Sequence, residues 1–263
     1  MLLIKVGGGA NINLEGIARD VAELDDRIVI VHGANAARNE LAERLGVEIR
    51  VLTSVSGHTS VYSDTELIDL MLMAYSGLRN KRLVELLHQH GMNAVGLTGL
   101  DGALVRGMRN KGIRVREGNK TLIKRDLSGK PVAVNRKLVR WLLDNGYTPV
   151  ITFPVIDERN VAINSDNDDI VTLLALALLP DWVIQLIEAP GFLEDPDDPE
   201  SVVPVIPPQQ LPRWERQVTG RMKRKMHAIR QLVQTGCSKV LIADGRTESP
   251  ITDAMAGKGT VIG

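Results

Sequence analysis

Apolar residues follow two different periods along this chain. Short runs of neighbouring apolar residues predict buried strands, and apolar residues spaced three or four apart predict amphipathic helices. Predicted strands lie at 2–6, 27–33, 93–99, 147–155, 182–191 and 239–245, and predicted helices at 37–46, 64–91, 137–146, 170–179 and 222–236. Because strands and helices alternate over most of the length, we expect an α/β fold. Its mostly parallel sheet would be covered by helices and would bind ligands at the carboxyl ends of the strands.

One departure from the alternation is strongly basic. Residues 106–131 predict hairpin strands around Gly118-Asn119 and carry nine basic residues against only Glu117 and Asp126. The basic residues are Arg106, Arg109, Lys111, Arg114, Arg116, Lys120, Lys124, Arg125 and Lys130. From the residues alone, a solvated hairpin is the favoured interpretation, because lysine and arginine are mostly exposed to water.

A second departure, residues 194–213, is rich in proline and acidic at its start, which predicts a surface loop. A boundary is predicted near residue 175. It would divide the chain into an amino-terminal lobe, 1–175, and a carboxy-terminal lobe, 176–263.

Composition excludes several classes of protein. Lysine plus arginine equal aspartate plus glutamate at 32 each, so overall charge does not point to nucleic acid or membrane partners. The single cysteine, Cys237, excludes an internal disulfide framework and fits a reducing compartment. The longest apolar run, 170–179, is about half the length needed to span a bilayer. We therefore expect a soluble cytoplasmic protein.

A lysine interrupts the first predicted strand. Lys5 stands among apolar residues and is followed, after Val6, by Gly7, Gly8 and Gly9. A buried ammonium costs free energy unless a negative group meets it, and glycines let backbone N–H groups come close to a ligand. These residues predict a site for an anion. A lysine at the frayed end of an edge strand, followed by a plain turn, is an equally open alternative.

Three further stretches place glycine or charge beside predicted strands or helices: HGAN (32–35), NSDNDD (164–169) and GRMKRK (220–225). In the last, Lys223, Arg224 and Lys225 stand at a helix start, where cations oppose the macrodipole and a bound anion would compensate them. A solvated basic face is the alternative. Asp166 precedes an apolar helix and suits a helix cap, a role compatible with a functional one.

Two separated lysines, glycine turns and one fixed carboxylate suit phosphoryl transfer, which needs positioning and positive charge around the transferred group. The sequence lacks GxxxxGK[ST], GxGxxG and the kinase motifs HRD and DFG, which disfavours P-loop, dinucleotide and protein-kinase enzymes. It also lacks HExxH and paired CxxC, so no metal site formed by the protein is expected. His32 and His58 are interpreted as structural.

The order of the short motifs resembles that of the amino acid kinase family. The motifs are KVGG (5–8), VHG (31–33), NK (80–81), AVGLTGLDG (94–102), NSD (164–166), APG (189–191), GRMKRK (220–225) and ADGR (243–246). The resemblance covers nearly the whole chain and implies an open αβα sandwich with a mainly parallel central sheet of about eight strands. It further implies that the amino-terminal lobe binds an acyl substrate and forms a homodimer, and that the carboxy-terminal lobe binds ATP.

The resemblance also implies roles for single residues. Lys5 and Lys225 would be the catalytic lysines, and Asp166 the carboxylate that organises both. The residues implied for the acyl substrate are Gly33, Ala34 and Asn164, and those implied for ATP are Gly7, Gly8, Gly191 and Met222. In the implied reaction a substrate carboxylate attacks ATP and gives an acyl phosphate. Magnesium, Mg2+, would be bound through the ATP phosphates, with no ligand from the protein.

GLDG before the basic hairpin, and GRMKRK itself, are similar to the branch of the family whose substrate is attached to a small acidic amino-group carrier protein. The implied substrate is carrier-linked 2-aminoadipate or glutamate, in lysine or arginine biosynthesis. The basic hairpin would then attract the carrier by complementary charge. The docking residues implied are Arg109, Lys111, Arg114, Arg116, Lys124 and Arg125. ATP and this carrier are the expected partners, with no nucleic acid or membrane.

The sequence departs from the family pattern at three places. Ala34 replaces the second glycine of a Gly-Gly turn, and IEAPG (187–191) replaces a Ser-Asp or Ser-Asn pattern. Val61 replaces an arginine that binds the substrate α-carboxylate by a charge-assisted contact. The candidates to supply the missing charge are Arg50, Arg79 and Arg82. The alternatives are an altered carrier-linked substrate, free N-acetylglutamate, or an inactive regulatory protein that only binds nucleotide or carrier.

Overall fold

The computed structural model describes residues 1–55, 57, 59–118, 120–218, 220–234, 236 and 239–263, and describes only the backbone of residues 117, 220, 221 and 224. Its strands, in chain order, are β1 (Leu2–Val6), β2 (Ile28–His32), β3 (Val51–Thr53), β4 (Thr59–Val61), β5 (Ala94–Thr98), β6 (Val105–Arg109), β7 (Ile113–Glu117), β8 (Lys120–Lys124), β9 (Gly129–Val134), β10 (Thr148–Thr152), β11 (Val155–Ile156), β12 (Ala162–Ile163), β13 (Trp182–Ile187), β14 (Val205–Ile206), β15 (Lys239–Asp244) and β16 (Thr260–Ile262).

Eight of these strands form the central sheet, in the order β14-β16-β15-β13-β1-β2-β10-β5. Neighbouring strands are parallel except β15 and β16, which are antiparallel. The predicted α/β fold with a mainly parallel sheet of eight strands is therefore confirmed. β1 lies in the middle of the sheet, with Lys5 between Gln185 of β13 and Val31 of β2. The edge-strand alternative for Lys5 is wrong.

The remaining strands lie outside the central sheet. β12, β11, β6 and β9 form a four-stranded sheet, and β3–β4 and β7–β8 are antiparallel pairs. The predicted basic hairpin therefore forms two antiparallel pairs, β6 with β9 and β7 with β8. Asn119 of the predicted turn lies outside the described residues, as does His58.

The helices, in chain order, are α1 (Leu14–Ala22), α2 (Asn35–Leu45), α3 (Thr65–Met71), α4 (Asn80–Gln89), α5 (Arg136–Asp144), α6 (Asn167–Leu178), α7 (Leu211–Gln217), α8 (Gly220–Gln234) and α9 (Pro250–Met255). A π-helix, Leu72–Arg79, joins α3 to α4. The helix predicted over 64–91 therefore consists of α3, this wider helical segment around Gly77, and α4. Among the described residues, no helix has the length and apolar character needed to cross a membrane.

Apolar side chains cover both faces of the central sheet and make three layers. Because side chains alternate along a strand, Leu3 packs with α2, α3, α5, α6, α7 and α8 in one cluster, whereas Ile4 and Val6 pack with α1, α4 and α9 in another. Lys5 shares the face of Leu3. This places its ammonium on the side of α6 and α8.

The two ends of the chain build opposite halves of the sheet. β1, β2, β10 and β5 come from residues before 153, and β13, β14, β15 and β16 come from residues after 181. The halves meet where β1 pairs with β13. Residue 175 lies inside α6, so the chain passes from one half to the other in the segment between that helix and β13.

Candidate active site

Lys5 and Lys225 come together at the carboxyl edge of the sheet, over one carboxylate. The Nζ atom of Lys5 lies 3.1 Å from Oδ1 of Asp168, and Nζ of Lys225 lies 3.3 Å from the same oxygen. Lys225 also donates to Oε1 of the fully buried Gln185, at 3.0 Å. Lys5 lies on β1 of the amino-terminal half of the sheet, and Lys225 lies on α8, between β14 and β15 of the other half. The site therefore exists only where the halves meet.

The carboxylate that joins the lysines is Asp168, whereas the sequence predicted Asp166. Asp166 is the N-cap of α6, and its Oδ1 accepts the backbone N–H of Asp168 at 2.9 Å. The side chain of an N-cap residue turns back to accept a backbone N–H of the first helical turn. The side chain two residues later instead projects away from the helix. Asp166 still contributes at a distance, because its charge helps to raise the pKa of Lys5.

The three charges of the cluster shift one another. Burial raises the pKa of Asp168, but Lys225 and Lys5 together lower it further and hold it well below its usual range. Burial lowers the pKa of Lys5, yet Asp168 outweighs burial and the net shift is upward. Burial and the nearby Lys5 lower the pKa of Lys225 to about 8. Two ammonium groups around one carboxylate leave a buried excess of positive charge, which suits an anion.

Two glycine turns meet beside this cluster. A Cβ atom on Gly8 would lie 2.8 Å from the backbone nitrogens of Ala34 and Asn35, so only glycine allows this approach. Gly8 also accepts the backbone N–H of Ala36 at 2.9 Å. α2 begins here without a side-chain cap, and within the described part of the chain the N–H groups of Asn35 and Ala37 have no acceptor, so these two stay available to a ligand.

Ala34, one of the departures from the family pattern, is buried. Its side chain is 1% exposed and packs in the apolar cluster of the Leu3 face. The methyl group of Ala34 therefore contributes to the core.

Two positions of the predicted acyl-substrate site, Asn164 and Val61, lie before the start of α6 and at the end of β4. Nδ2 of Asn164 donates to Oγ of Ser63, at 3.0 Å, which brings residues 61–64 beside Asn164. Val61 ends β4 and packs against the apolar cluster of the Leu3 face. It carries no charge with which to bind a carboxylate.

Two of the three arginines considered as replacements at Val61 are occupied elsewhere. Arg50 forms an ion pair with Asp64 and lies over the Tyr62 ring, 4.8 Å from its centroid. Arg82 forms an ion pair with Glu85 at 2.7 Å, and its side chain is 67% exposed. Neither guanidinium is available, whereas Nε and Nη2 of Arg79 have no hydrogen-bond partner among the described residues.

Gly191 and Met222, which the sequence predicts to contact ATP, occupy different settings. A Cβ atom on Gly191 would lie 2.9 Å from Oγ1 of Thr260, which accepts the N–H of Phe192 at 2.8 Å. Gly191 thus keeps a loop against β16. Met222, in the first turn of α8, packs against the apolar cluster of the Leu3 face. The side chain of Arg224 lies outside the described atoms.

Two site residues were missed from the sequence. Gln185 is a buried polar residue in the apolar strand WVIQLI, the same signal that marked Lys5. Glu188 accepts the backbone N–H of Asn11 at 2.8 Å, and a Cβ atom on Gly9 would lie only 1.9 Å from its carboxylate. A carboxylate therefore rests on the glycine turn.

The predicted docking residues do not form one free surface. Nη2 of Arg109 lies 2.7 Å from Oδ2 of Asp157, which is fully buried, so this arginine is part of the fold. Arg114 and Arg116 are exposed and line an open cleft of about 620 Å³. The cleft is also lined by Thr53, Ser54, Val55, Gly57 and Thr121. Lys111 and Arg125 are exposed, and Lys124 is half-buried.

Among the residues that the structure describes, no group of three or more histidine, cysteine or acidic side chains could hold a metal ion.

Comparison with known proteins gives matches over the whole chain. The family model described as the amino acid kinase family matches residues 1–244. The [LysW]-aminoadipate kinase of Thermus thermophilus is 40% identical, with 100% of both chains covered. The [LysW]-aminoadipate kinase of Deinococcus radiodurans is 36% identical over 100% of this chain and 91% of its own. The acetylglutamate kinase of Methanopyrus kandleri is 32% identical, with 100% of both chains covered.

Two solved structures are similar in fold. N-acetylglutamate synthase from Neisseria gonorrhoeae has a TM-score of 0.79 and 18% identity, covering 99% of this chain and 58% of its own. Isopentenyl phosphate kinase of T. acidophilum has a TM-score of 0.65 and 16% identity, with 100% of both chains covered. At these identities the likeness extends to the fold alone.

Proposed function

The chain belongs to the amino acid kinase family, and we propose that it transfers the γ-phosphoryl group of ATP to a side-chain carboxylate. The observation that carries this proposal is the pair of largely shielded lysines that share one oxygen of Asp168. A protein that only binds nucleotide needs no second lysine on the far side of a phosphoryl group. Nothing observed favours the inactive alternative.

In the proposed step, an oxygen of the substrate carboxylate attacks the γ-phosphorus of MgATP. The new bond joins that oxygen to phosphorus, and the bond from phosphorus to the bridging oxygen of the β-phosphate breaks. ADP leaves with the bridging oxygen and its negative charge. No proton is transferred, so no general base is needed, and Lys5 and Lys225 act by stabilising charge on the transferred group.

We assign the acyl substrate to the lobe 1–175 and ATP to the lobe 176–263. The lysine of each lobe then approaches the transferred group from its own side. Gly8 and the uncapped start of α2 would direct N–H groups at phosphate or carboxylate oxygens. Gln185 supports the arrangement by holding Lys225 at 3.0 Å. A homodimer formed through the amino-terminal lobe, and a cytoplasmic location, stay predictions.

For the substrate we propose 2-aminoadipate or glutamate attached to a LysW-like acidic carrier. Two relatives that match this chain over its full length are named [LysW]-aminoadipate kinases. The exposed cations beside the cleft, Arg114 and Arg116, would meet the acidic carrier, with Lys111, Lys124 and Arg125 nearby in sequence. Arg109 is left out of this docking surface because it pairs with Asp157.

Because of Val61, two alternative substrates remain candidates. A valine cannot pair with an α-carboxylate, so an altered carrier-linked substrate would fit the same transfer chemistry. Free N-acetylglutamate is a second candidate, because the relative from Methanopyrus kandleri is named an acetylglutamate kinase.

The test is release of ADP from MgATP with carrier-linked 2-aminoadipate, carrier-linked glutamate or free N-acetylglutamate, with hydroxylamine present to trap the acyl phosphate. We expect turnover on a carrier-linked substrate, and the Lys225→Ala variant gives the blank rate. Turnover only on free N-acetylglutamate would select the second candidate. If none of the three substrates causes ADP release while MgATP still binds, these substrate assignments are wrong.

A further inference from the structure

Arg79 occupies an unusual backbone position. It is the last residue of the π-helix Leu72–Arg79, directly before α4. The next residue, Asn80, is buried, and its Nδ2 lies 3.0 Å from Nε2 of His32, at the end of β2. Helices of the π type are rare and are frequent at functional sites. Arg79 is thus fixed at the carboxyl edge of the sheet.

Two nitrogens of the Arg79 guanidinium are shielded from water and have no partner in the described part of the chain. Its Nε and Nη2 atoms are inaccessible to solvent, and neither has a hydrogen-bond partner among the described residues. Ser76, three residues earlier in the π-helix, also has a buried Oγ atom without a partner in that part of the chain. By contrast, Arg82 pairs with Glu85 and Arg50 pairs with Asp64.

The surroundings of Arg79 locate its charge near the end of β1. Burial lowers the pKa of Arg79, and Glu188, which follows β13, partly offsets this. Burial lowers the pKa of His32, at the end of β2, to about 3, with the charge of Arg79 contributing. β1 lies between β13 and β2, and its strand end leads into the glycine turn.

A carboxylate already occupies part of this region. Glu188 rests against Gly9 and accepts the N–H of Asn11, and its charge acts on Arg79 without a hydrogen bond between the two side chains. The neutral His32 offers no countercharge. A desolvated guanidinium without a countercharge lowers stability, so its retention indicates that a ligand supplies the missing anion.

We propose that Arg79 binds an anionic oxygen of a substrate, either a phosphate oxygen of MgATP or a carboxylate oxygen of the acyl substrate. This inference rests on the proposed function and adds a third cation to Lys5 and Lys225. Guanidinium groups bind both oxyanions through paired N–H donors, and Nε and Nη2 form one such pair. Ser76 adds a hydroxyl donor on the same helical segment.

The test compares two variants. Arg79→Met keeps a long side chain and removes its charge, whereas Arg79→Lys keeps the charge and removes the paired N–H donors of the guanidinium. The control is Arg82→Met, three residues further along, whose guanidinium is exposed and paired with Glu85. We expect Arg79→Met to keep or raise the melting temperature while raising one KM at least about tenfold. Arg79→Lys should recover part of that loss, and Arg82→Met should leave both KM values unchanged.

The KM that rises identifies the source of the oxygen. A higher KM for MgATP assigns a phosphate, and a higher KM for the acyl substrate assigns a carboxylate. A lower kcat with both KM values unchanged assigns the transferred phosphoryl group itself. Unchanged kinetics, or a lower melting temperature in proportion to the lost activity, would overturn the proposal.

Calorimetric titration with MgADP and with glutarate, a simple dicarboxylate, separates this inference from the proposed function. If the wild-type protein turns over none of the carboxylate substrates, the proposed function fails but the titrations still test Arg79. Weaker binding of either probe by Arg79→Met, and not by Arg82→Met, supports the inference. Equal binding of both probes by wild type and Arg79→Met contradicts it.

Discussion

Positive charge is arranged in opposite ways at the lysine cluster and at the basic hairpin. In the cluster, Lys225 is buried and Lys5 is largely shielded from water, and Asp168 fixes both. On the hairpin, Arg114 and Arg116 are exposed beside an open cleft. A buried charge in fixed geometry acts strongly on bonds that form near it, whereas an exposed charge acts mainly on encounter with a partner. The two regions therefore suit different steps, transfer and docking.

The largest expected effect comes from removing either lysine of the cluster. Lys5→Ala or Lys225→Ala should lower kcat about 100- to 1,000-fold, because one fixed donor to the transferred group is lost. The free energy of unfolding should change little compared with this loss of kcat, since Asp168 keeps the other lysine as partner. Steady-state kinetics and urea unfolding measure the two effects. A variant with nearly parental kcat would contradict the assigned roles.

A second comparison separates the two aspartates at the start of α6. Asp168→Asn removes the charge that both lysines share, so it should lower kcat and cost on the order of 3 kcal/mol of unfolding free energy. Asp166→Asn should change little, because asparagine caps helices as well as aspartate. Kinetics and urea unfolding of both variants test this. Equal losses would show that the cap matters as much as the shared carboxylate.

pH should move activity and stability in opposite directions. The pKa of Lys225 is about 8 in the folded state against an ordinary 10.5. Above pH 8 the folded protein loses this proton while the unfolded chain keeps it. Stability from this group should therefore rise between pH 8 and 10.5, by on the order of 1–3 kcal/mol, while kcat/KM falls.

The control for this pH effect is Lys225→Met, which has no proton to lose. Its unfolding free energy, measured by urea at each pH, should lack the rise that wild type shows. If the two proteins follow the same stability profile, the low pKa does not belong to Lys225.

The smallest effect is expected on the hairpin. Arg114→Glu should weaken carrier binding about tenfold at low salt, less at high salt, and leave MgATP binding unchanged. Arg140→Glu, an exposed arginine of α5, makes the same change of net charge outside the hairpin. Titration calorimetry at two salt concentrations distinguishes them. If both variants weaken carrier binding equally, the hairpin is a solvated surface and not a docking site.

The sequence predicted the parts of the site that depend on local pattern. Lys5 in an apolar strand before glycines indicated an anion site, and the alternation of elements indicated the parallel sheet. Both follow from rules that act over a few residues. The close backbone approach at Gly8 likewise follows from a local rule, because glycine has no Cβ atom to prevent it.

Other features depend on which distant groups meet, and local pattern could not determine them. NSDNDD offers three aspartates, and only the path of α6 relative to Lys225 selects Asp168. In the sequence, Arg109 cannot be distinguished from the other basic residues of the hairpin. Only the fold shows that it pairs with the buried Asp157. Nor does sequence distinguish Arg79 from Arg82, because burial without a partner is a property of the folded molecule.

The pairing of β1 with β13 has a consequence for synthesis on the ribosome. Lys5 and its strand neighbour Gln185 are about 180 residues apart in the chain. At about 5–20 residues per second, roughly 10–35 s pass between the two, and during that time one side of β1 has no strand beside it. An apolar strand with an open edge invites pairing with another chain. We expect nascent chains that end before β13 to be the aggregation-prone species of this protein, and to need chaperone protection during that interval.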